Sequence, residues 1–267
     1  MRDRSKNTTL LAMTPTLVLL AAGMSTRYGR LKQLEPVGPE GEALLDYSVF
    51  DAHRAGIRRV LIIIREELQD AFDAHVVNRW PEDLEVVYHY QRLDDLPGMD
   101  PALPWSGLVP TALEKRTKPW GTAHALLSAE SKLQSSFLVL NADDFYGRSA
   151  FHLAAGFPEP SGDTTSFGLV TYSLGETLSE HGGVNRGVCQ VDEAGSLVGV
   201  REILNIRDRG RGLSGETVEG EGLDLSGAEP ISTNFWILTP AVFPLLRAAF
   251  KEFLQDVVHP QEGQPEF

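Results

Sequence analysis

Apolar runs alternate with amphipathic segments through the first half of the chain. Residues 17–22 form a continuous apolar run, and residues 59–64 are apolar after Arg59; both segments, and the mostly apolar residues 84–88, predict strands. Between these runs, residues 43–55 and 66–80 carry apolar side chains at helical spacing. Strand–helix–strand–helix–strand is the pattern of a parallel sheet with helices on both faces.

The pattern changes after residue 90. Residues 91–119 are rich in proline and glycine and predict a long loop. The remaining expected elements are a helix over 121–133, strands over 137–140, 166–173, 187–191, 197–203 and 231–238, a hairpin turn at 193–195, a flexible insertion over 205–228 and a helix over 241–254. The predicted fold class is α/β: a three-layer α/β/α sandwich with a mostly parallel central sheet and an antiparallel extension.

The length of 267 residues suits one large α/β domain, and no internal repeat or sharp linker divides it. We expect residues 1–14 to form a loose leader and residues 15–267 a single domain. The basic N-terminus followed by an apolar run superficially suggests a signal peptide. The run is short, however, and Gly23 and Arg27 follow it directly, so a first strand is the better interpretation. No stretch approaches the ~20 apolar residues of a membrane span.

The net charge of −13 argues against broad binding to nucleic acid or to membrane surfaces, which requires a basic face. Phosphate can still bind where local donors or a divalent cation offset the charge. The single cysteine, Cys189, excludes an internal disulfide framework, and it fits a buried strand position in a cytoplasmic protein. The histidines lack zinc-ligand spacing, and no serine-hydrolase elbow occurs.

The most informative segment, residues 19–32, runs from the first predicted strand into a turn of small residues and then to basic ones. Gly23 lets backbone N–H groups approach an anion, while Arg27 and Lys32 supply positive charge. The glycine spacing is one residue too long for a Walker loop, and a serine replaces the second glycine of the dinucleotide fingerprint. A plain structural turn with surface basic residues is the alternative.

Two further motifs are suited to a phosphate ligand. Asp143 and Asp144 follow the fourth predicted strand, where carboxylates are costly unless they are solvated, cap a helix or hold a cation such as Mg²⁺. The alternative is that Asp144 caps a helix or forms a turn. Gly121 and Thr122 open a predicted helix whose first N–H groups are free to bind a ligand.

Together these motifs resemble the nucleotidyltransferase family of the sugar-phosphate or NTP-transferase type, over roughly residues 16–254. The resemblance implies a Rossmann-like (GT-A-like) sheet with the antiparallel extension on the acceptor side. It implies catalytic roles for Arg27 and Lys32, nucleotide contacts from Ala21, Ala22, Gly23, Met24, Ser25, Gly121 and Thr122, acceptor contacts from Gly187, Glu202 and Asn234, and metal binding by Asp143 and Asp144. For Glu202, pairing with an arginine at a strand edge is the alternative.

The resemblance implies transfer of NMP from an NTP to a phosphorylated acceptor, a sugar 1-phosphate first, with release of pyrophosphate. The implied cofactor is Mg²⁺, the partners are the NTP and the acceptor, and a homo-oligomer is compatible. Relatives place a second metal ligand on a strand after the last helix. This sequence stops at Phe267 without one, which predicts a truncated chain or a ligand from elsewhere. A glycosyltransferase using a nucleotide-sugar and an inactive nucleotide-binding regulator stay open, as do the base and the acceptor.

Overall fold

The computed structural model describes residues 14–23, 26–27, 30–77, 79–97, 116–157, 166–210, 212–258 and 266–267. The strands are β1 (Thr16–Leu20), β2 (Thr26–Arg27), β3 (Arg30–Leu31), β4 (Arg59–Ile64), β5 (Glu85–Tyr90), β6 (Phe137–Asn141), β7 (Gly168–Ser173), β8 (Val184–Val191), β9 (Leu197–Asp208), β10 (Leu213–Thr217), β11 (Gly222–Leu225) and β12 (Pro230–Leu238). The helices are α1 (Leu44–Arg54), α2 (Gln69–Val76), α3 (Thr122–Ser128), α4 (Arg148–Ala155) and α5 (Val242–Val258).

Ten strands form one sheet in the order β11-β10-β9-β8-β12-β6-β1-β4-β5, with β7 also paired to β12. Strands β6, β1, β4 and β5 pair in parallel, and β12 joins β6 antiparallel. Strands β8 to β11 continue from β12 as an antiparallel extension. Strands β2 and β3 form a separate two-stranded ribbon after β1. The predicted α/β class is therefore confirmed.

Helices cover both faces of the parallel strands. Leu17 and Leu19 of β1 join the core beneath α1, α2 and α4, whereas Val18 joins the core beneath α3 and α5. Successive side chains of a strand point to opposite faces, so β1 is buried on both sides. This arrangement is the predicted three-layer sandwich, and it explains why β1 and β4, the inner parallel strands beside each other, are almost wholly apolar.

Most predicted elements occur with shifted ends. The helix expected over 66–80 consists of a 3₁₀ turn at Glu66–Leu68 and then α2, which ends at Val76. The helix expected over 121–133 divides into α3 and a 3₁₀ turn at Glu130–Lys132. Helix α4 is not among the predicted elements. It is only eight residues long, although its buried residues, Ala150, Phe151 and Ala154, follow helical spacing.

The flexible insertion predicted over 205–228 is wrong. Strand β9 continues to Asp208, and β10 and β11 add two antiparallel strands beside it. Their leucines pack against a small separate core: Leu213, Leu223 and Leu225 against Ile203, Ile206 and Ile231. Glycine and charge dominate the composition here, but apolar residues at alternate positions are enough to bury one face of a sheet.

Two predicted segments lie largely outside the described residues. Of the expected leader, residues 1–14, the structure describes only Thr14, and of the loop expected over 91–119 it omits residues 98–115. Within the described parts of the chain, none of the helices has the length and apolar content needed to span a membrane.

Candidate active site

The turn after β1 lies at the carboxyl edge of the parallel strands, where ligands bind in open α/β sheets. The N–H of Ala21 donates to the carbonyl of Ile63 at 2.8 Å, and the N–H of Ala142 donates to the carbonyl of Leu20 at 3.1 Å. The turn is thus attached to the strands on both sides of β1. Ala21 and Ala22 are buried and Gly23 is exposed, so of these three residues only Gly23 is open to a ligand.

The side chain of Gln33, which is not among the predicted site residues, is hydrogen-bonded to this turn. Its side chain is 5% exposed, and its amide donates to the carbonyl of Gly23 at 3.3 Å. Its own carbonyl oxygen is buried and has no partner among the described residues. A single glutamine beside Lys32 gives no periodic or motif signal, so only the packed structure reveals it.

Lys32 and Asp143 form an ion pair beside this turn. The ammonium nitrogen of Lys32 lies 2.5 Å from Oδ2 of Asp143. The two side chains are 37% and 28% exposed, which leaves the pair accessible to solvent and to small ligands. The predicted catalytic lysine and the predicted metal carboxylate therefore belong to one cluster.

Asp144 is held by its own strand. The side-chain amide of Asn141 donates to Oδ2 of Asp144 at 2.8 Å. The residue that precedes α4 as its N-cap is Gly147, which makes no side-chain cap. Asp144 therefore does not cap this helix, which removes one of the two alternatives for this carboxylate.

The predicted acceptor residues lie on neighbouring strands. Gly187 of β8 lies opposite Glu202 of β9 and opposite Ser232 of β12. A Cβ atom on Gly187 would lie 2.9 Å from Cγ1 of Val200, so a larger residue here would have to displace that side chain. The arginine beside Glu202 pairs instead with Glu221, at 3.6 Å.

Asn234 of β12 adopts a left-handed conformation, with φ of 63°. Asparagine tolerates this region better than most residues, because its short side chain can bond locally. A register shift between Ser232 and Phe235 accompanies this conformation in the pairing with β7. The strand is therefore irregular at the residue predicted to contact the acceptor.

Tyr146, which is also not among the predicted site residues, links the end of β6 to β12. Its hydroxyl accepts the N–H of Asn141 at 3.0 Å and donates to the carbonyl of Thr233 at 2.8 Å. Burial raises the pKa of this hydroxyl, and the charge of Asp144 raises it further. The carboxylates after β6 and the strand that carries Asn234 are thus held together by one side chain.

The start of α3 differs from the expectation. Gly121 has φ of 110°, and the carbonyl of Phe267 accepts the N–H of Ala123 at 3.1 Å. A Cβ on Gly121 would clash with the backbone of Phe267. The expectation that these N–H groups are free is therefore wrong for Ala123, while Thr122 is exposed.

Three predicted site residues lie wholly or partly outside the described parts of the chain. Met24 and Ser25 lie outside the described residues. Arg27 contributes its backbone to β2, where it pairs with Arg30 of β3, and its side chain lies outside the described parts. Their roles stay predictions.

The donor atoms fit magnesium that arrives with a nucleotide. Among the described residues, no group of three or more histidine, cysteine, aspartate or glutamate side chains could hold a metal alone. Mg²⁺ is commonly bound by one or two carboxylates together with substrate phosphates. The carboxylate of Asp143 already pairs with a cation, the ammonium of Lys32, so the site can hold a positive charge beside this carboxylate.

The candidate site thus consists of a glycine turn at the carboxyl edge, a lysine–aspartate pair beside it and an antiparallel extension. Residues 17–90 match the family model of the MobA-like NTP transferase domain. This part of the chain is therefore similar to the NTP transferases, as its motifs indicate.

A valienol-1-phosphate guanylyltransferase of Streptomyces hygroscopicus subsp. limoneus is 33% identical over 147 residues, which are 48% of this chain and 37% of the relative. The chain thus spans little more than a third of that relative. The fold resembles an inositol-1-phosphate CTP transferase from T. maritima, with a TM-score of 0.53 and 14% identity over 92% of this chain and 83% of the other. It also resembles a protein described as a glucose-1-phosphate thymidylyltransferase from Bacillus anthracis, with a TM-score of 0.52 and 14% identity over 89% and 78%.

Proposed function

We propose that this protein transfers the NMP part of an NTP to a phosphorylated alcohol, a sugar 1-phosphate or a related cyclic alcohol phosphate, and releases pyrophosphate. The observation that carries the proposal is the Lys32–Asp143 pair beside the glycine turn after β1. The family match over residues 17–90 includes this turn and Lys32. The similarity to a guanylyltransferase acting on valienol 1-phosphate makes GTP and cyclic alcohol phosphates the first substrates to test.

In this reaction an oxygen of the acceptor phosphate attacks the α-phosphorus in line, and pyrophosphate leaves. The acceptor is already an anion, so the protein needs no general base and must instead align two anions and offset their repulsion. Lys32 would turn from Asp143 to the α-phosphate and the acceptor phosphate, and Arg27 would stabilise the charge that develops on pyrophosphate. Gly23, together with the predicted contacts Met24 and Ser25, would bind the nucleotide.

Asp143, with Asp144 beside it, would hold Mg²⁺, which would supply positive charge to the phosphates of the nucleotide. Asn141 holds Asp144 by a hydrogen bond of 2.8 Å, which limits the rotation of that carboxylate.

The acceptor would bind on the antiparallel side of the cluster. Glu202 and Asn234 would accept and donate hydrogen bonds to ring hydroxyls, and Gly187 would let the ring approach the backbone. Gly187 and Glu202 lie opposite each other on β8 and β9, which supports a common site. Gly121 and Thr122 would border the base.

Pyrophosphate release in the presence of Mg²⁺ tests this proposal. The four common NTPs and dTTP are crossed with a panel of sugar 1-phosphates and cyclic alcohol phosphates. We expect release that depends on the acceptor and is lost in Lys32→Ala. Turnover of a nucleotide-sugar without pyrophosphate would favour a glycosyltransferase instead, and NTP binding with no release from any pair would favour a regulatory protein.

Three further expectations go with this proposal. Residues 15–267 would act as a single catalytic domain, and the protein would work in the cytoplasm, where NTPs and Mg²⁺ are available. The buried free thiol of Cys189 is compatible with that reducing compartment. A homo-oligomer is also compatible, and size-exclusion chromatography with light scattering would measure it.

A further inference from the structure

The strand ladder between β6 and β12 ends just before the candidate active site. Trp236 lies opposite Val139 in this ladder. The same register, continued by two residues, places Asn234 opposite Asn141. Asn234 instead turns into the left-handed region, with φ of 63°, so regular pairing does not continue to this point.

The hydroxyl of Tyr146 occupies the gap. It accepts the N–H of Asn141 at 3.0 Å and donates to the carbonyl of Thr233 at 2.8 Å. One oxygen atom therefore replaces a direct strand-to-strand bond and sets the spacing of the two backbones. On one side the chain continues from Asn141 into Asp143, and on the other Thr233 leads directly to Asn234.

The surroundings of Tyr146 allow little freedom. Its side chain is 3% exposed, and its ring packs against Phe235 at a centroid distance of 5.4 Å. The two hydrogen bonds, one accepted and one donated, fix the orientation of the hydroxyl. Removing the hydroxyl would leave the N–H of Asn141 and the C=O of Thr233, both in part-buried hydrogen bonds, without this partner, which is unfavourable.

We propose that Tyr146 is a positioning residue for the acceptor, because its hydroxyl fixes the distance between the Asp143 carboxylate and Asn234. This inference rests on the function proposed above. Tyr146 touches neither substrate in this arrangement, and it acts through the two backbones that it joins. Its loss would displace the acceptor relative to the nucleotide, whereas the nucleotide would still bind to the turn after β1.

The test compares Tyr146→Phe with Tyr172→Phe. The hydroxyl of Tyr172 donates to the carbonyl of Tyr146 at 2.9 Å, so the control removes a phenol hydroxyl from the same cluster without cutting the link between β6 and β12. In Tyr146→Phe we expect kcat/KM for the acceptor to fall about 10- to 100-fold, with the KM for the NTP within about twofold of wild type. Tyr172→Phe should change both parameters by less than about twofold.

A third variant covers the case in which Tyr146→Phe does not fold. In 4-aminophenylalanine at position 146, the amine keeps the donor and weakens the acceptor, so kcat/KM for the acceptor should lie between those of wild type and Tyr146→Phe. An active wild type with unaffected Tyr146 variants would overturn this inference alone. Equal losses for NTP and acceptor would also overturn it, because they indicate a general structural role. A wild type that releases no pyrophosphate contradicts the proposed function itself and removes this inference with it.

Discussion

The ammonium nitrogen of Lys32 lies 2.5 Å from Oδ2 of Asp143, although 111 positions separate the two residues along the chain. The contact joins the segment after the first strand to the carboxylates after β6. Each member of the pair neutralises the other in the absence of substrate. A divalent cation on Asp143 and a phosphate on Lys32 would each compete with this pair, and binding both together would separate it.

Removing Lys32 should make Asp143 a better site for a divalent cation. In Lys32→Gln we expect Mn²⁺, measured without nucleotide by the paramagnetic resonance of the free ion, to bind about fivefold more tightly, since a nearby positive charge is gone. Pyrophosphate release should fall about 10²-fold in the same variant. Lys251→Gln, on α5, is the control, and unchanged Mn²⁺ affinity in Lys32→Gln would contradict this competition.

Arg27 should act on the leaving pyrophosphate. We expect Arg27→Ala to lower kcat for pyrophosphate release by about 10²–10³-fold, because one charge that stabilises the transition state is lost. The unfolding midpoint in urea should stay that of the wild type. Arg58→Ala, an exposed arginine paired with Asp83, should keep full activity. A normal rate in Arg27→Ala would exclude Arg27 from the mechanism.

Two aspartate–histidine pairs allow a matched test of stability. Asp46 and His75 form a pair with both side chains 10% exposed, and Asp46 also accepts the N–H of Ala43 and the indole N–H of Trp80. Asp46→Ala leaves these donors buried without their acceptor, so we expect a loss of about 3 kcal/mol in the free energy of unfolding. Urea denaturation followed by circular dichroism measures it.

The control for Asp46 is Asp83, which pairs with His53 at 2.8 Å at the surface. Its side chain is 60% exposed, so water screens the pair. Asp83→Ala should leave the urea midpoint close to that of the wild type. Equal losses in both variants would mean that burial does not decide the strength of these pairs.

The buried histidines should make the protein less stable as the pH falls. Burial lowers the pKa of His124 and of His89 in the folded state, whereas in the unfolded state both titrate near the ordinary value of about 6.5. Below this value and above the folded pKa, the unfolded chain binds more protons. The free energy of unfolding should therefore decrease on acidification from about pH 7 to pH 5, by at most about 1.4 kcal/mol per pH unit for each histidine.

Urea denaturation across this pH range tests the role of His124. The His124→Gln variant should show a smaller dependence of the free energy of unfolding on pH than the wild type. His124 accepts from the amide of Gln91 at 3.0 Å and donates to the carbonyl of Asp95 at 2.7 Å, so the variant will also be less stable throughout. An identical slope in both proteins would contradict this assignment.

Local periodicity predicted the layered part of this molecule. The apolar run of β1 and the helical spacing of α1 depend on residues that are neighbours in the chain, and both elements occur where the pattern indicates them. Local periodicity gave a wrong prediction over 205–228, because glycine and charged residues dominate this segment. Its apolar residues alternate, and they form a separate core only when the strands pair. Helix α4 is absent from the predicted elements although Ala150, Phe151 and Ala154 are buried at helical spacing.

The sequence by itself determined the α/β layers, the glycine turn and the residue types that could bind phosphate and metal, because these features are written in short stretches of chain. Tertiary structure alone decided that Lys32 meets Asp143, that Tyr146 joins Asn141 to Thr233, and that Phe267 lies against Gly121. Such contacts depend on strand order and register, which bring distant residues to one edge of the sheet. No spacing within the sequence encodes them, because the distance along the chain does not limit which strands become neighbours.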